Sequence, residues 1–230
     1  MLGGAVPCRG GWVLITGRLQ GVTMAPGPAQ VVPTFLAVVD HRPSFDVLTL
    51  AAPIGLPETG TPEGRGCDRD ARDVLGPRRA AAVVSPPGRR ALGAPSYEDA
   101  IEANGGPLSL DQWELVHHVA EVDREMQPFR QRSLHEIHPE LSFHQLNGDR
   151  PLEHPCHTDE GRAERRALLV RKIPGIERAL DADLVGVRRG DLLEAAAALW
   201  TARRVASKGV IRLPKVPEWD AKGLRMQYLR

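Results

Sequence analysis

The fold of this chain is decided by a short apolar run that ends in a proline-rich loop, VLTLAAPIGLP at residues 47–57. The first part, Val47–Leu50, suits a buried strand because it is apolar or β-branched and is followed by turn-forming residues. Upstream, residues 12–16 follow a Gly-Gly pair and predict a further strand. Early strands followed by alternating helices and strands predict an α/β fold, a mixed β-sheet flanked by helices.

Helix boundaries are marked by capping residues. Ser109 and Gln112 have the capping-box spacing, and Thr158 precedes two acids that suit the helix dipole. The predicted helices are residues 33–40, 67–75, 96–103, 158–170, 192–207 and one from Ser109 with the apolar stripe Leu115, Val119, Val122 and Met126. Further strands are predicted at residues 22–24, 134–143 and 224–228. We expect a single domain over residues 1–230, with an extended C-terminal arm at residues 208–230.

Length and composition are those of an ordinary globular chain. The 230 residues are 42% hydrophobic and 26% charged, which is enough to bury a core without disulfides or a structural metal. The formal net charge of +1 does not support a polybasic nucleic-acid binder. Nucleic acid as a partner would therefore depend on a local basic face, for which the paired arginines are candidates, although such pairs equally suit solvated helix faces.

Cysteine usage points to a reduced compartment. Cys8, Cys67 and Cys156 are odd in number and widely spaced, which argues against a disulfide framework and predicts a cytoplasmic protein. We expect no signal peptide and no membrane partner, since no stretch approaches the ~18 apolar residues of a membrane span. No CxxC pair, Ser–His–Asp signature or glycine-rich phosphate loop is present, and the sequence does not specify an oligomeric state.

A family resemblance is carried by strings that occur in a fixed order: CRGGWV at 8–13, PIGLP at 53–57, CDRDAR with LG at 67–76, EIHPELSF at 136–143, GR with R at 161–165, and GLRM at 223–226. Together they resemble the bacterial family of predicted ribonuclease-H-like nucleases (domain of unknown function 429) over nearly the whole chain. The resemblance implies a ribonuclease-H-like fold. It also implies phosphodiester cleavage with Mg or Mn as cofactor if the chain is active, because such metals activate water and stabilise charge on the reacting oxygens.

The chain departs from the family pattern at polar positions. The resemblance implies aspartates where Val6 and Ala51 stand, and neither side chain can bind a cation. It implies two serines at positions 81–82, which are alanines here, and two lysines at positions 156–157, which are Cys and His. The glycines and prolines that build the fold are kept. This is the pattern of a fold retained while its chemistry is lost.

Two acids survive near the start of a late helix. By the resemblance, Asp191 and Glu194 match the late-helix metal ligands, with Glu in place of a more usual Asp. At i and i+3 they share one helix face and could hold one magnesium together with a substrate phosphate. They also suit a purely structural role, Asp191 as N-cap and Glu194 at N3, which would satisfy free amide donors. Both interpretations stay open.

A second polar group comprises Glu136, His138 and Glu140. If residues 134–143 form a strand, these alternate residues share one face. Two carboxylates that flank an imidazole suit metal binding or proton transfer. The alternative is a polar face hydrogen-bonded to neighbouring loops.

Four arginines are candidate phosphate ligands. Arg69 and Arg72 follow a predicted helix start, where guanidinium groups can contact phosphate or pair with acids such as Asp68. Arg162 and Arg165 lie near another helix N-terminus, where amides and the dipole favour anions. Their alternative role is that of surface arginines.

These features leave three functional hypotheses. The first is a descendant of a metal-dependent nuclease with weak or lost phosphodiesterase activity and a retained binding role. The second is an active Mg-dependent nuclease that uses a relocated acid set, Glu136, Glu140, Asp191 and Glu194. The third is a non-catalytic nucleotide or small-molecule binding module. A hydrophobic floor at Val6 and Ala51 would favour the first hypothesis. Acids of the relocated set that can all reach one metal ion would favour the second. A deep pocket instead of an open basic groove would favour the third.

Overall fold

A mixed seven-stranded sheet forms the centre of the molecule. The computed structural model describes residues 1–21 and 23–230. The strands are β1 (Leu2–Cys8), β2 (Gly11–Gln20), β3 (Thr23–Val32), β4 (Val47–Leu50), β5 (Leu134–Glu136), β6 (Arg212–Trp219) and β7 (Arg225–Leu229). Their order is β3-β2-β1-β4-β5-β7-β6. β1, β2 and β3 form an antiparallel meander, β1, β4, β5 and β7 run parallel, and β6 pairs antiparallel with β7.

Helices cover both faces of this sheet. They are α1 (Phe35–Val39), α2 (Gly66–Leu75), α3 (Tyr97–Asn104), α4 (Leu110–Glu125), α5 (Pro139–Leu146), α6 (Asp159–Lys172), α7 (Glu177–Leu180) and α8 (Arg189–Ala206). One core joins α5, α6 and α8 to β1 and β2, and a second joins α1 and α4 to the opposite face. A third, smaller core joins α2 to β7. The predicted α/β class, a mixed sheet flanked by helices, is confirmed, and the architecture is consistent with a ribonuclease-H-like fold.

The contact of α8 with the centre of the sheet is unusually close. A Cβ atom at Gly4 of β1 would overlap backbone atoms of Ala195 and Leu199. On the neighbouring strand, Thr49 donates a hydrogen bond from Oγ1 to the carbonyl of Ala198 at 2.6 Å. Small residues on both sides let the helix backbone approach the strands directly.

Two local capping signals, at Ser109 and Thr158, were predicted correctly. The Ser109 hydroxyl accepts from Gln112 N, and the Gln112 side chain accepts from Ser109 N, so the reciprocal capping box at the start of α4 is confirmed. Thr158 likewise caps α6. The prediction of the apolar stripe of α4 is partly wrong, because Val116 is buried whereas Leu115 is 45% exposed.

The predicted strand at residues 134–143 is wrong beyond its third residue. β5 ends at Glu136, and α5 begins at Pro139. His138 is the N-cap of α5, and its Nδ1 accepts a hydrogen bond from Glu140 N at 3.2 Å. Proline at the first helical position has its φ angle already set for a helix, so the apolar residues that follow it belong to a helix.

Other boundaries also differ from prediction. Residues 208–230 do not form an arm, since they contain β6 and β7 of the sheet; within them, the strand predicted at residues 224–228 is confirmed as β7. The helix predicted at residues 192–207 begins earlier, at Arg189. Of the strand predicted at residues 22–24, Val22 lies outside the described residues, and the rest belongs to the longer β3.

The two outermost strands each contain prolines. Pro26 and Pro28 lie in β3, and Pro214 and Pro217 lie in β6. Proline has no backbone N–H, so it is tolerated in a sheet chiefly at edges.

Replacing Gly4 by Ala should destabilise the protein by roughly 3 kcal/mol, because the new methyl group must push α8 away from β1. The matched control is Gly190→Ala in the first turn of α8, where a Cβ meets nothing within 4 Å, and which should be neutral or slightly stabilising. Urea denaturation of both variants measures the difference. Equal stability of the two would contradict the close packing described here.

Candidate functional site

A pocket opens at the carboxyl ends of the parallel strands. Because β1, β4 and β5 run in the same direction, Pro7, Ala51 and Ile137 come to one edge of the sheet and line this pocket. Its volume is about 340 Å³, within the range of small-molecule sites. Helices α5 and α8 begin at the same edge and supply polar side chains from their first turns.

Three carboxylates line one side of the pocket: Glu140 from α5, and Asp191 and Glu194 from α8. Burial, followed by the negative charges of Asp191 and Glu140, raises the pKa of Glu194 to about 7. Within residues 1–21 and 23–230, hydrogen bonds reach the other two carboxylates and none reaches Glu194. Glu194 is therefore the acid of this group that is free to meet a ligand.

Asp191 is engaged by Arg188. The Arg188 backbone N–H donates to Asp191 Oδ2 at 2.9 Å, and Arg188 Nη2 donates to Oδ1 at 3.0 Å. Arg188 is the N-cap of α8, and Asp191 stands at N3. The predicted positions, Asp191 at the N-cap and Glu194 at N3, are therefore wrong. Asp191 does satisfy a free amide at the helix start, whereas Glu194 lies beyond the cap.

Glu140 is engaged by a buried arginine. Arg165, predicted as a phosphate ligand, is only 2% exposed. Its Nε donates to Glu140 Oε1 at 3.1 Å, and its Nη1 donates to the carbonyl of Gly161 at 3.0 Å. The guanidinium also lies 5.3 Å from the ring centre of Phe143. The charge of Arg165 is thus balanced inside the protein, behind the pocket wall.

Glu136 belongs to a buried ion cluster at the base of the pocket. Its oxygens accept from the two Nη atoms of Arg65 at 2.6 and 3.0 Å, and from Ile54 N at 2.8 Å. Arg65 also binds Asp68, and the Tyr228 hydroxyl donates to Asp68 at 2.7 Å. Burial raises the pKa of Glu136 to about 7, against the opposite effect of Arg65. In Asp68, burial raises the pKa, but the charge and hydrogen bonds of Arg65 together with the hydrogen bond from Tyr228 hold it below its ordinary value.

His138 lines the pocket as the cap of α5, with its ring edge-on to Tyr228 at 5.8 Å. Burial lowers its pKa, so the imidazole is neutral at pH 7. Glu136, His138 and Glu140 therefore do meet at one pocket, although they share no strand face and each is held by different neighbours.

The family model described as Protein of unknown function (DUF429) matches residues 6–219. The chain belongs to this family. No curated protein and no solved structure matches the chain. In the part of the chain that the structure describes, no helix is both long and apolar enough to cross a bilayer.

In this DUF429 protein, Val6 lies on β1, and Ala51 directly follows the adjacent parallel strand β4. Ala5 pairs with Leu50, and Ala51 N donates to the Ala5 carbonyl at 2.9 Å, so Val6 and Ala51 are the next neighbours along the strands. Val6 is fully buried in the same core cluster as Leu192 of α8, and Ala51 packs against that cluster. Of the two, Ala51 lines the pocket, whereas Val6 is covered and does not line it; we call this apolar pair beside α8 the hydrophobic floor.

Two small side chains from distant parts of the chain, Ala82 and Cys156, also line the pocket.

The DUF429 pocket does not present a ready cation cage. Among the described residues, no group of three His, Cys, Asp or Glu side chains is arranged to hold a metal ion. Both oxygens of Asp191 accept from Arg188, and one oxygen of Glu140 accepts from Arg165. This donor set does not fit a preformed magnesium or manganese site, which needs several free oxygen ligands.

The other predicted phosphate ligands lie away from the pocket. Arg162 pairs with Asp159 on the surface of α6, and Arg69 lies on the exposed side of α2. Arg72 donates to the Ser85 hydroxyl at 2.6 Å, so it supports a residue of the pocket wall from behind. The structure does not bring these three arginines together.

Sequence reasoning missed the apolar wall of the pocket and its arginine. The wall is formed by Val84, Pro86, Pro87 and Leu115, which come from an irregular segment and from α4. Their spacing follows no period, so no local signal marks them as a surface. Arg188 belongs to one of the arginine pairs, and its contact with Asp191 at i+3 was the available clue.

Replacing Glu194 by Gln should stabilise the protein at pH 8 and change little at pH 5. The folded-state pKa of about 7 lies above the ordinary value of 4.5, so the favourable contribution of the protonated carboxyl is present below 4.5 and is lost as the pH rises through 7. The variant escapes this loss, which is on the order of 1–3 kcal/mol. Denaturation midpoints at both pH values measure this change in stability, and Glu102→Gln at an exposed position of α3 is the control. A gain in stability of equal size at pH 5 and pH 8 would contradict the raised pKa of Glu194.

Replacing Arg65 by Met should destabilise the protein by about 3–5 kcal/mol, because Asp68 and Glu136 would remain buried without a counterion. The added change Glu136→Gln should recover part of this loss. Arg69→Met, whose ion pair is about half exposed, is the control and should cost under about 1 kcal/mol. Chemical denaturation measures the free energy of unfolding of each variant. A small effect of Arg65→Met would show that the cluster is not needed for stability.

Proposed function

We propose that this DUF429 protein is a ribonuclease-H-like protein in which phosphodiesterase activity is weak or lost, and in which the pocket keeps a binding role. The observation that carries this proposal is the hydrophobic floor, the neighbouring pair of Val6, which is buried, and Ala51, which lines the pocket. These are the positions at which the resemblance implies the two strand carboxylates, and they lie side by side at the start of α8.

Metal-assisted phosphodiester cleavage depends on several carboxylate oxygens that hold metal against both the attacking and the leaving oxygen. Without acids at positions 6 and 51, the pocket keeps Glu140, Asp191 and Glu194. The first two are partly neutralised by arginines, which leaves Glu194 as the free carboxylate. One free carboxylate supports weak metal affinity at most.

The electrostatics of the pocket also oppose a nucleic-acid substrate. Acids outnumber cations along its lining, so a phosphate without metal meets like charge. The positions at which serine and lysine side chains would assist a phosphate hold Ala82 and Cys156. Loss of both ligand types at one place supports a change of role for the pocket.

The second hypothesis, an active Mg-dependent nuclease that uses Glu136, Glu140, Asp191 and Glu194, has one observation in its favour: all four acids line the same pocket. Against it, Glu136 is held through both oxygens by Arg65. Recruiting Glu136 to a metal would break a buried ion pair, which typically costs several kcal/mol.

Calorimetric titration with Mn²⁺ separates these alternatives. The parent protein should show millimolar affinity or none, together with no manganese-dependent cleavage of single- or double-stranded DNA or RNA. A micromolar dissociation constant, about −8 kcal/mol, with metal-dependent cleavage would establish the second hypothesis instead.

The double variant Val6→Asp with Ala51→Asp tests the floor directly. Without metal it should melt well below the parent, because two carboxylates enter a buried apolar site near Glu194. Millimolar Mn²⁺ should recover part of that loss by binding the folded state. The matched control is Val6→Asn with Ala51→Asn, which has similar shape and no charge and should gain little from metal. Equal metal responses in the aspartate variant and the parent would show that this floor is not the remnant of a metal site.

A further inference from the structure

The polar side of the pocket has an excess of negative charge. Glu140, Asp191 and Glu194 lie together, and Asp111 adds a carboxylate at the exposed start of α4. Among the described residues, Arg188 is the one arginine or lysine that lines the pocket. Its charge is shared with Asp191 at 3.0 Å, so it does not neutralise the site.

The three inward-facing acids that have partners differ from the one that has none. Arg65 binds Glu136 and Arg165 binds Glu140 as buried pairs, whereas Arg188, which binds Asp191, has an 85% exposed side chain. Glu194 receives no hydrogen bond from the described residues, and the negative charges of Asp191 and Glu140 act on it. A partly buried carboxylate without a donor is a strong acceptor for a charged N–H group.

The opposite side of the pocket is apolar and offers contact area. Val84 is 51% exposed and Leu115 is 45% exposed, and Pro86 and Pro87 continue the same wall. These side chains present apolar surface within reach of a polar group at Glu194. The pocket therefore combines an acidic side with a rigid apolar side.

We propose that the pocket binds a small organic cation, an amine or guanidinium compound with an apolar body, whose charged head donates to Glu194 and whose body packs against the wall of Val84, Pro86, Pro87 and Leu115. This inference rests on the binding role proposed above and names its ligand class. The cavity of about 340 Å³ accommodates a ligand of this kind. Anions of the same size are disfavoured, because they would meet the carboxylates directly.

The test uses a matched series of probes with one ring and different charge: benzylamine and phenylguanidine as cations, benzyl alcohol as the neutral compound and benzoate as the anion. Binding is followed by chemical shift changes of pocket residues at pH 8, with chelator present. The cations should bind at least about tenfold more tightly than benzyl alcohol, since a charge-assisted hydrogen bond adds to the apolar contact. Benzoate should not bind.

Two variants distinguish the contact of the charged head with Glu194 from the contact of the apolar body with Leu115. Glu194→Gln should lose about tenfold in affinity for the cations and leave benzyl alcohol unaffected. Leu115→Ser should weaken the cations and benzyl alcohol by similar factors, because both use the apolar wall. Glu102→Gln removes an exposed charge elsewhere and should change nothing. Thermal melting of each variant verifies that it is folded.

Benzoate binding as tight as that of benzylamine would overturn the proposal, as would unchanged benzylamine affinity in Glu194→Gln. Because these titrations contain chelator, they are independent of the manganese experiments. A parent that binds neither manganese nor the cations would overturn the cation site alone, whereas tight manganese binding would overturn the proposed loss of the metal site.

Discussion

The close seating of α8 on β1 is the constraint on which the rest of the molecule depends. Gly4 has no side chain, so the helix backbone lies directly against the strand, and Thr49 ties it to the neighbouring strand. This fixes the direction of α8, which starts at the carboxyl ends of β1 and β4. Its first turns therefore place Asp191 and Glu194 at the pocket that Ala51 also lines. A helix held further from the sheet would carry both acids away from this end of the strands.

Charge in this protein is organised locally. The net charge of +1 gives no hint of an acidic pocket, because the arginines that balance its carboxylates are buried behind the wall or bound at a helix cap. Each pairing uses a guanidinium with several donors, which lets Arg65 satisfy two acids and Arg165 satisfy an acid and a carbonyl together. The outcome is a set of acids that are each paired with an arginine, beside Glu194, which has no such partner among the described residues.

The sequence predicts those parts of the fold that depend on neighbours in the chain. The capping box at Ser109 and the cap at Thr158 act over three residues, so their outcome follows from local chemistry. The strand expected at residues 134–143 failed because alternation of polar and apolar residues competes there with a proline at a helix start. The apolar side of the pocket depends on where α4 packs, which no short pattern encodes.

For the candidate site too, features that depend on residues distant in sequence were not predicted correctly. Glu136, His138 and Glu140 were expected together on a strand face, and they meet at the pocket for a different reason: a strand end and a helix start converge there. Arg165 was expected as a phosphate ligand or, alternatively, as a surface arginine, and it lies in the interior. Its burial depends on Glu140, a residue distant in sequence, so composition and spacing could not reveal it.

The prolines of β3 and β6 have a consequence for how this protein behaves among many copies of itself. A sheet whose outer strands offer regular N–H groups is a template onto which further chains can add, and this is how fibrils grow. Here the outer strand at each end of the sheet is interrupted by two residues that cannot donate. Neither rim offers an unbroken row of donors to an incoming strand, which protects the folded molecule from edge-to-edge polymerisation even at high concentration.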